Sequence, residues 1–181
     1  MTAIRSALVV GGTGFIGSAL LRRLVAEGVE AHALTFRDRV PKLLSAGRPL
    51  ASASSSVEDL AAVFSGYHFD TVFHLAAAGV APGHRSLDSL VEGNLGLLTR
   101  VLESLSVSPP GAFIFTGSCA EYSEAPPGTL IAEDWPTLPN NLYGGSKAAA
   151  TILGTALARK LEMPFATLRL FHVFGPGESS Y

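Results

Sequence analysis

A single cysteine, Cys119, in 181 residues excludes an intrachain disulfide and fits a reducing compartment, with the cytoplasm as the expected location. Charged residues make up only 15% of the chain and sum to a net charge of −2. That balance leaves no basic footprint for nucleic acid or an anionic membrane. No apolar run reaches transmembrane length, and no signal-peptide pattern precedes the first apolar segment. The five histidines fall at no metal-ligand spacing, so no metal site is expected. Internal repeats and interdomain linkers are lacking too. What is abundant is hydrophobic sequence, 48% of the chain. Residues 1–181 therefore read as one domain, long enough to bury roughly two thirds of its unfolded surface.

The organising stretch is Gly11-Gly12-Thr13-Gly14-Phe15-Ile16-Gly17, directly after the apolar run Ala7-Leu8-Val9-Val10. A non-alternating apolar run bounded by glycine suits a parallel strand buried on both faces. Ile16, Leu20 and Leu24 then recur at helical spacing over Phe15–Glu27, and Gly28 suits a C-cap. A strand, a glycine turn and a helix N-terminus in that order make an anion site, because the first helical N–H groups and the dipole favour negative charge. Gly12 to Gly17 satisfies G-x-G-x-x-G, and the absence of a following Gly-Lys-Ser/Thr excludes a Walker loop.

Strands and helices alternate from there. Strands are expected at Glu30–Phe36, Arg48–Ala53, Asp70–Ala77, Ala112–Thr116 and Phe165–Phe171. Helices are expected at Pro41–Ala46, after the Ser54-Ser55-Ser56 cap up to Gly66, at Ser86–Ser106 and at Leu142–Glu162. The pattern calls for an α/β fold with a doubly wound parallel sheet of Rossmann type, whose ligands bind beyond the C-terminal strand ends.

Tyr143-Gly144-Gly145-Ser146-Lys147 places a phenol and an ammonium one helical turn apart on one face. A phenol titrates near pH ~10, so proton transfer at neutral pH needs a nearby positive charge. Lowering that pKa by ~3 units takes about 4 kcal/mol, which a desolvated pocket supplies and a solvated helix face does not. Taken alone, Tyr-x-x-x-Lys is more often a core-capping tyrosine and a solvated lysine. Beside a nucleotide-type glycine loop, the catalytic reading leads.

On these motifs the chain resembles the extended short-chain dehydrogenase/reductases, the NAD(P)-dependent epimerase/dehydratase group that acts on nucleotide sugars. The resemblance rests on Gly11–Gly17, His74-Leu75-Ala76-Ala77, Asn94, Phe113–Ser118, Tyr143, Lys147 and Leu168–Gly177 in order. It implies that Gly11, Gly14, Phe15, Ile16, Gly17, Leu75, Ala76 and Ala77 line the cofactor. It implies that Tyr143 is the acid/base group and that Lys147 holds the nicotinamide ribose and lowers the tyrosine pKa. Ser118 would hydrogen-bond the reacting oxygen, and His172 stands where relatives contact the sugar nucleotide. Asn94 is a supporting feature with a ready structural explanation, the bridging of backbone groups in a buried helix.

Departures narrow the activity. Relatives that are 4,6-dehydratases carry Asp-Glu directly after the active-site hydroxyl residue, whereas Cys119-Ala120 follow Ser118 here and Glu121 comes one position late. A 4-ketoreductase or an epimerase is expected instead, with a non-catalytic dinucleotide sensor as the alternative. At the end of the second strand, Thr35 occupies the position aligned with an NAD-selecting carboxylate, and Arg37 and Arg39 follow. This favours NADP(H) over NAD(H), against which Asp38 stands one residue away. The segment Ala51-Ser52-Ala53-Ser54 offers no carboxylate for adenine. Relatives dimerise through the two long helices, so a homodimer is expected, with Ala148-Ala149-Ala150, Leu157 and Leu161 as candidate contacts. Relatives also continue past the Gly-Pro-Gly segment, so a C-terminal substrate domain is expected to be missing from these residues.

Overall fold

The computed structural model describes residues 4–36, 44, 46–80 and 86–178. The chain runs β1 (Ser6–Val10), α1 (Phe15–Ala26), β2 (Glu30–Phe36), β3 (Arg48–Ser52), α2 (Val57–Phe64), β4 (Thr71–His74) and α3 (Leu87–Leu90). A π-helical stretch (Val91–Gly96) then leads into α4 (Leu97–Ser104), β5 (Ala112–Ser118), α5 (Leu142–Lys160) and β6 (Phe165–Leu170). The six strands form one sheet in the order β3-β2-β1-β4-β5-β6, with every neighbouring pair parallel. The order reverses between β1 and β4, which opens a crevice at their C-terminal ends.

Strand alternation sorts the core. Leu8 and Val10 join Val72, Phe113 and Phe115 on the face covered by α2, α4 and α5. Ala7 and Val9 point the other way, with Ala31 and Ala33, onto Leu21 and Leu24 of α1. Both faces of β1 are thus buried, which is why its sequence is uninterruptedly apolar. Among the described helices, none is long and apolar enough to cross a membrane.

Three elements differ from expectation. The fourth strand stops at His74, because its partner β1 ends at Val10 and the glycine turn takes over; Leu75 N still bonds Val10 O. The fifth strand instead extends to Ser118, because β6 continues to pair with it as far as Leu170. The helix expected over Ser86–Ser106 is interrupted by the π-helical stretch. There the fully buried Asn94 turns its amide onto the backbone of Ala78, a bond that fixes the helix against the end of β4. The helix expected at Pro41–Ala46 lies largely outside the described residues, as do Arg37, Asp38 and Arg39.

Candidate active site

The glycine turn is shaped by close approach. Gly11 takes φ +91°, and a methyl group there would sit 2.6 Å from Ala76 N. At Gly17 a methyl would collide with Gly11 O and come within 2.9 Å of Gly12 Cα. The start of α1 is thereby pressed against the end of β1. Gly14 is the N-cap of α1 and offers no side-chain hydrogen bond. In contrast α2, α3 and α5 are capped by Ser56, Ser86 and Asn141. The uncapped first turn of α1 keeps its N–H groups for an anion.

Next to that turn lies a cavity of about 460 Å³ lined by Phe15, Ile16, Leu75, Ala77, Ser118, Cys119, Tyr143, Lys147 and His172, among others. Side chains from β5, α5 and the segment after β6 are brought together there from positions far apart in sequence. Ser118 ends β5 and opens a short 3₁₀ turn, where its Oγ accepts from Ala120 N at 3.1 Å. Its backbone N–H donates to Glu121 Oε1 at 2.8 Å, completing a reciprocal capping box. The Asn141 side chain accepts from Gly144 N and starts α5. Tyr143 lies in the first turn of α5, and Lys147 follows one turn on.

Lys147 is almost completely buried, with Nζ 4.4 Å from the centroid of the Phe115 ring. Burial lowers its pKa to about 8, against the pull of Glu121. Tyr143 goes the other way. Burial raises its phenol above the ordinary value, while a hydrogen bond with the Ser118 side chain opposes this. Any lowering of the phenol by Lys147 has to work against this burial, because desolvation is the largest effect at Tyr143. His74, fully buried between Phe113 and Phe115 and facing the charge of Lys147, is held neutral with a pKa of about 3.

Other expected residues fall as follows. Glu121 points away from the cavity; its buried carboxylate also accepts from Thr151 Oγ1 and pairs with Arg169 Nε, each at 3.0 Å. Cys119 is not an enclosed packing residue but lines the cavity at intermediate exposure. His172 stands at the cavity mouth, largely exposed, 3.8 Å from Glu178. Thr35 is buried and gives its hydroxyl to Leu50 O, so the β2 end of the site begins at Phe36. Ala148 and Ala150 are buried, whereas Ala149, Leu157 and Leu161 are half-buried, the two leucines packing on the core. Among the described residues, no three His, Cys, Asp or Glu side chains gather in a metal-binding group.

Sequence reasoning passed over the parts that hold this arrangement. Ser146, within the Tyr-x-x-x-Lys segment, links Asn94 to Tyr143 O. Glu121 and Arg169 tie the Ser118 turn to β6. The Ser118-x-x-Glu121 spacing is a legible capping-box signal, whereas nothing local marks the partners of Ser146 or Arg169. The uncapped helix start, the glycine approach and the buried ammonium together fit a dinucleotide, an anionic diphosphate carrying hydroxyl-rich riboses.

Comparison with known proteins agrees with that fit. The model of the NAD dependent epimerase/dehydratase family matches residues 7–181. The dTDP-6-deoxy-L-talose 4-dehydrogenase (NAD(P)(+)) of Kitasatospora kifunensis is 33% identical over 99% of this chain and 56% of that protein. A UDP-glucose 4-epimerase of Streptomyces lividans is 31% identical over 93% of this chain and 52% of its own length. The crystal structure of a Thermus thermophilus UDP-glucose 4-epimerase in complex with NAD superposes with a TM-score of 0.80 at 28% identity, over 96% of this chain and 57% of that one. The chain thus spans about half the length of the curated relatives it matches.

Proposed function

The chain belongs to the NAD dependent epimerase/dehydratase family, and from that premise we propose that it serves as an NAD(P)-dependent oxidoreductase acting on a nucleotide sugar, as a 4-ketoreductase or an epimerase. The observation that carries the reading is the meeting of Ser118, Tyr143 and Lys147 in one cavity beside the glycine turn. A bound nicotinamide would supply the hydride donor or acceptor. Gly11, Gly14, Phe15, Ile16, Gly17, Leu75, Ala76 and Ala77 are the residues that would hold the dinucleotide.

Tyr143 passes a proton to or from the sugar oxygen at the carbon whose oxidation state changes. Ser118, which lines the same cavity as the phenol, steadies the developing charge on that oxygen. Lys147 holds a ribose and brings positive charge to the phenol, which offsets the burial that raises Tyr143. His172 at the mouth meets the nucleotide end of the substrate. The absence of carboxylates at Cys119 and Ala120, with Glu121 committed to Arg169 and Thr151, disfavours a 4,6-dehydratase.

The cofactor is NADP(H) rather than NAD(H), on the strength of Arg37 following β2, and a reductase working from a reduced pool suits that choice. The same reading puts the protein in the cytoplasm and makes it a homodimer. For the dimer, the exposed Leu87, Val91, Ile152 and Leu153 on α3–α5 join the half-buried Ala149, Leu157 and Leu161 as candidate contacts; sedimentation across micromolar concentrations is the check. The function is tested by calorimetry with NADP(H) and NAD(H), paired with a hydride-transfer assay on a panel of keto-sugar nucleotides. Tight dinucleotide binding with no transfer to any sugar nucleotide, measured on a chain that carries the substrate domain as well, would favour the sensor.

A further inference from the structure

A second cavity, of about 550 Å³, opens on the same edge of the sheet, at the C-terminal ends of β2 and β3. Ala77 lines the first cavity and Ala78 the second, so the two are joined by adjacent residues. Phe36 and Leu97 give the second cavity apolar surface, and Glu92 and Arg100 give it an ion pair. That pair depends on the π-helical stretch. In an unbroken α-helix, residues eight apart sit about 80° apart around the axis. The wider π turn winds fewer degrees per residue and brings Glu92 and Arg100 over one another.

Both oxygens of Glu92 face the guanidinium, Oε1 through Nη2 and Oε2 through Nη1 at 3.4 Å, and Nη2 also reaches Ser55 Oγ at 3.4 Å. The carboxylate is thereby pinned at the cavity, yet each of its oxygens keeps a second lone-pair site. The segment Ala51–Ser54, of which Ala53 and Ser54 line the cavity, carries no carboxylate. A cavity with the apolar surface of Phe36 and Leu97 and one fixed acceptor suits a purine bearing an exocyclic amine.

We infer that Glu92, oriented by Arg100 and Ser55, is the residue that reads the base of the dinucleotide, accepting from the adenine 6-amino group. The inference rests on the dinucleotide reading of the glycine turn. Hypoxanthine replaces that amine with a carbonyl, which would meet the carboxylate acceptor to acceptor. Arg100 acts through Glu92 and is a positioning residue.

Calorimetry of this chain with NAD and with nicotinamide hypoxanthine dinucleotide tests the inference. The expected result is NAD binding about tenfold tighter or more, the factor that a hydrogen bond to a charged group is worth. Glu92→Ala, a change at a largely exposed side chain, should abolish that preference by weakening NAD and relieving the repulsion of the hypoxanthine analogue. Arg100→Met should reduce the preference without reversing it. Equal affinities in the unaltered chain, or a preference that survives Glu92→Ala, would overturn the role of Glu92 and leave the glycine-turn reading standing. Failure of NAD, of NADP and of the analogue to bind at all would overturn both.

Discussion

Asn94 Nδ2 donates to Ser146 Oγ at 2.9 Å, across 52 positions of sequence. The same amide donates to Ala78 O at 3.2 Å and accepts from Ala78 N at 2.8 Å, while Ser146 donates to Tyr143 O at 2.8 Å. One fully buried side chain thus fixes the end of β4 against the first turn of α5. Both of those elements line the candidate site.

Replacing that side chain should therefore loosen two walls at once. Asn94→Ala leaves the Ala78 backbone groups and Ser146 short of partners, at a cost of about 2–4 kcal/mol in unfolding free energy. Urea titration reads that loss, and calorimetry should show weaker dinucleotide binding alongside it. A change below about 0.5 kcal/mol, the scatter of neutral surface substitutions, would mean that the network contributes nothing to the fold.

Two glycines separate close approach from ordinary loop sequence. Gly17→Ala forces a methyl onto Gly11 O and should cost about 3 kcal/mol or more while eliminating dinucleotide binding. Gly66→Ala projects into open space and should leave stability unchanged or raise it by about 0.4–1 kcal/mol. Thermal denaturation of the two variants side by side is the comparison, and equal effects would contradict the proposed role of the turn.

The acid/base assignment predicts a split between binding and turnover. Tyr143→Phe keeps the ring and removes the proton, so dinucleotide affinity should persist while hydride transfer falls about 10²–10⁴-fold. Lys147→Ala should reduce both. Turnover within a few-fold of the unaltered protein would return Tyr143 to a packing role.

Arg37 should separate the two cofactors. Arg37→Ala is expected to weaken NADP much more than NAD, since only NADP carries the 2′-phosphate. Dissociation constants for both, measured in both proteins, decide it. Equal losses would remove the basis for an NADP preference.

His74 should make the fold acid-sensitive. In the unfolded chain its imidazole takes a proton below about pH 6.5, whereas in the fold it stays neutral down to about pH 3. Unfolding therefore binds a proton in that window, and stability falls as the pH drops through it, by roughly 3 kcal/mol between pH 6.5 and 4. His74→Phe should flatten that part of the profile. Lys147 acts at the other end: with a pKa of about 8 in the fold against 10.5 unfolded, it makes stability rise as the pH climbs between those values. Denaturant midpoints measured from pH 4 to 10 test both slopes, and superimposable acid limbs for His74→Phe and the unaltered protein would refute the first.

Strand–helix alternation and the glycine turn were legible in the order of residues alone. That order also set the helical spacing of Tyr143 and Lys147. Each is a local property, fixed by periodicity, by backbone sterics or by a single turn of helix. Where Ser118 and His172 lie relative to that turn depended on strand order and on how far β5 and β6 stay paired, and no neighbouring residue encodes that. Tertiary structure alone also decided the π-helical stretch, because Asn94 finds its partners in Ala78 and Ser146 only after β4 and α5 have docked. The same holds for the charges. Lys147 and His74 owe their shifted pKa values to water excluded by the Phe113 and Phe115 layer, and that layer comes from a strand distant in sequence.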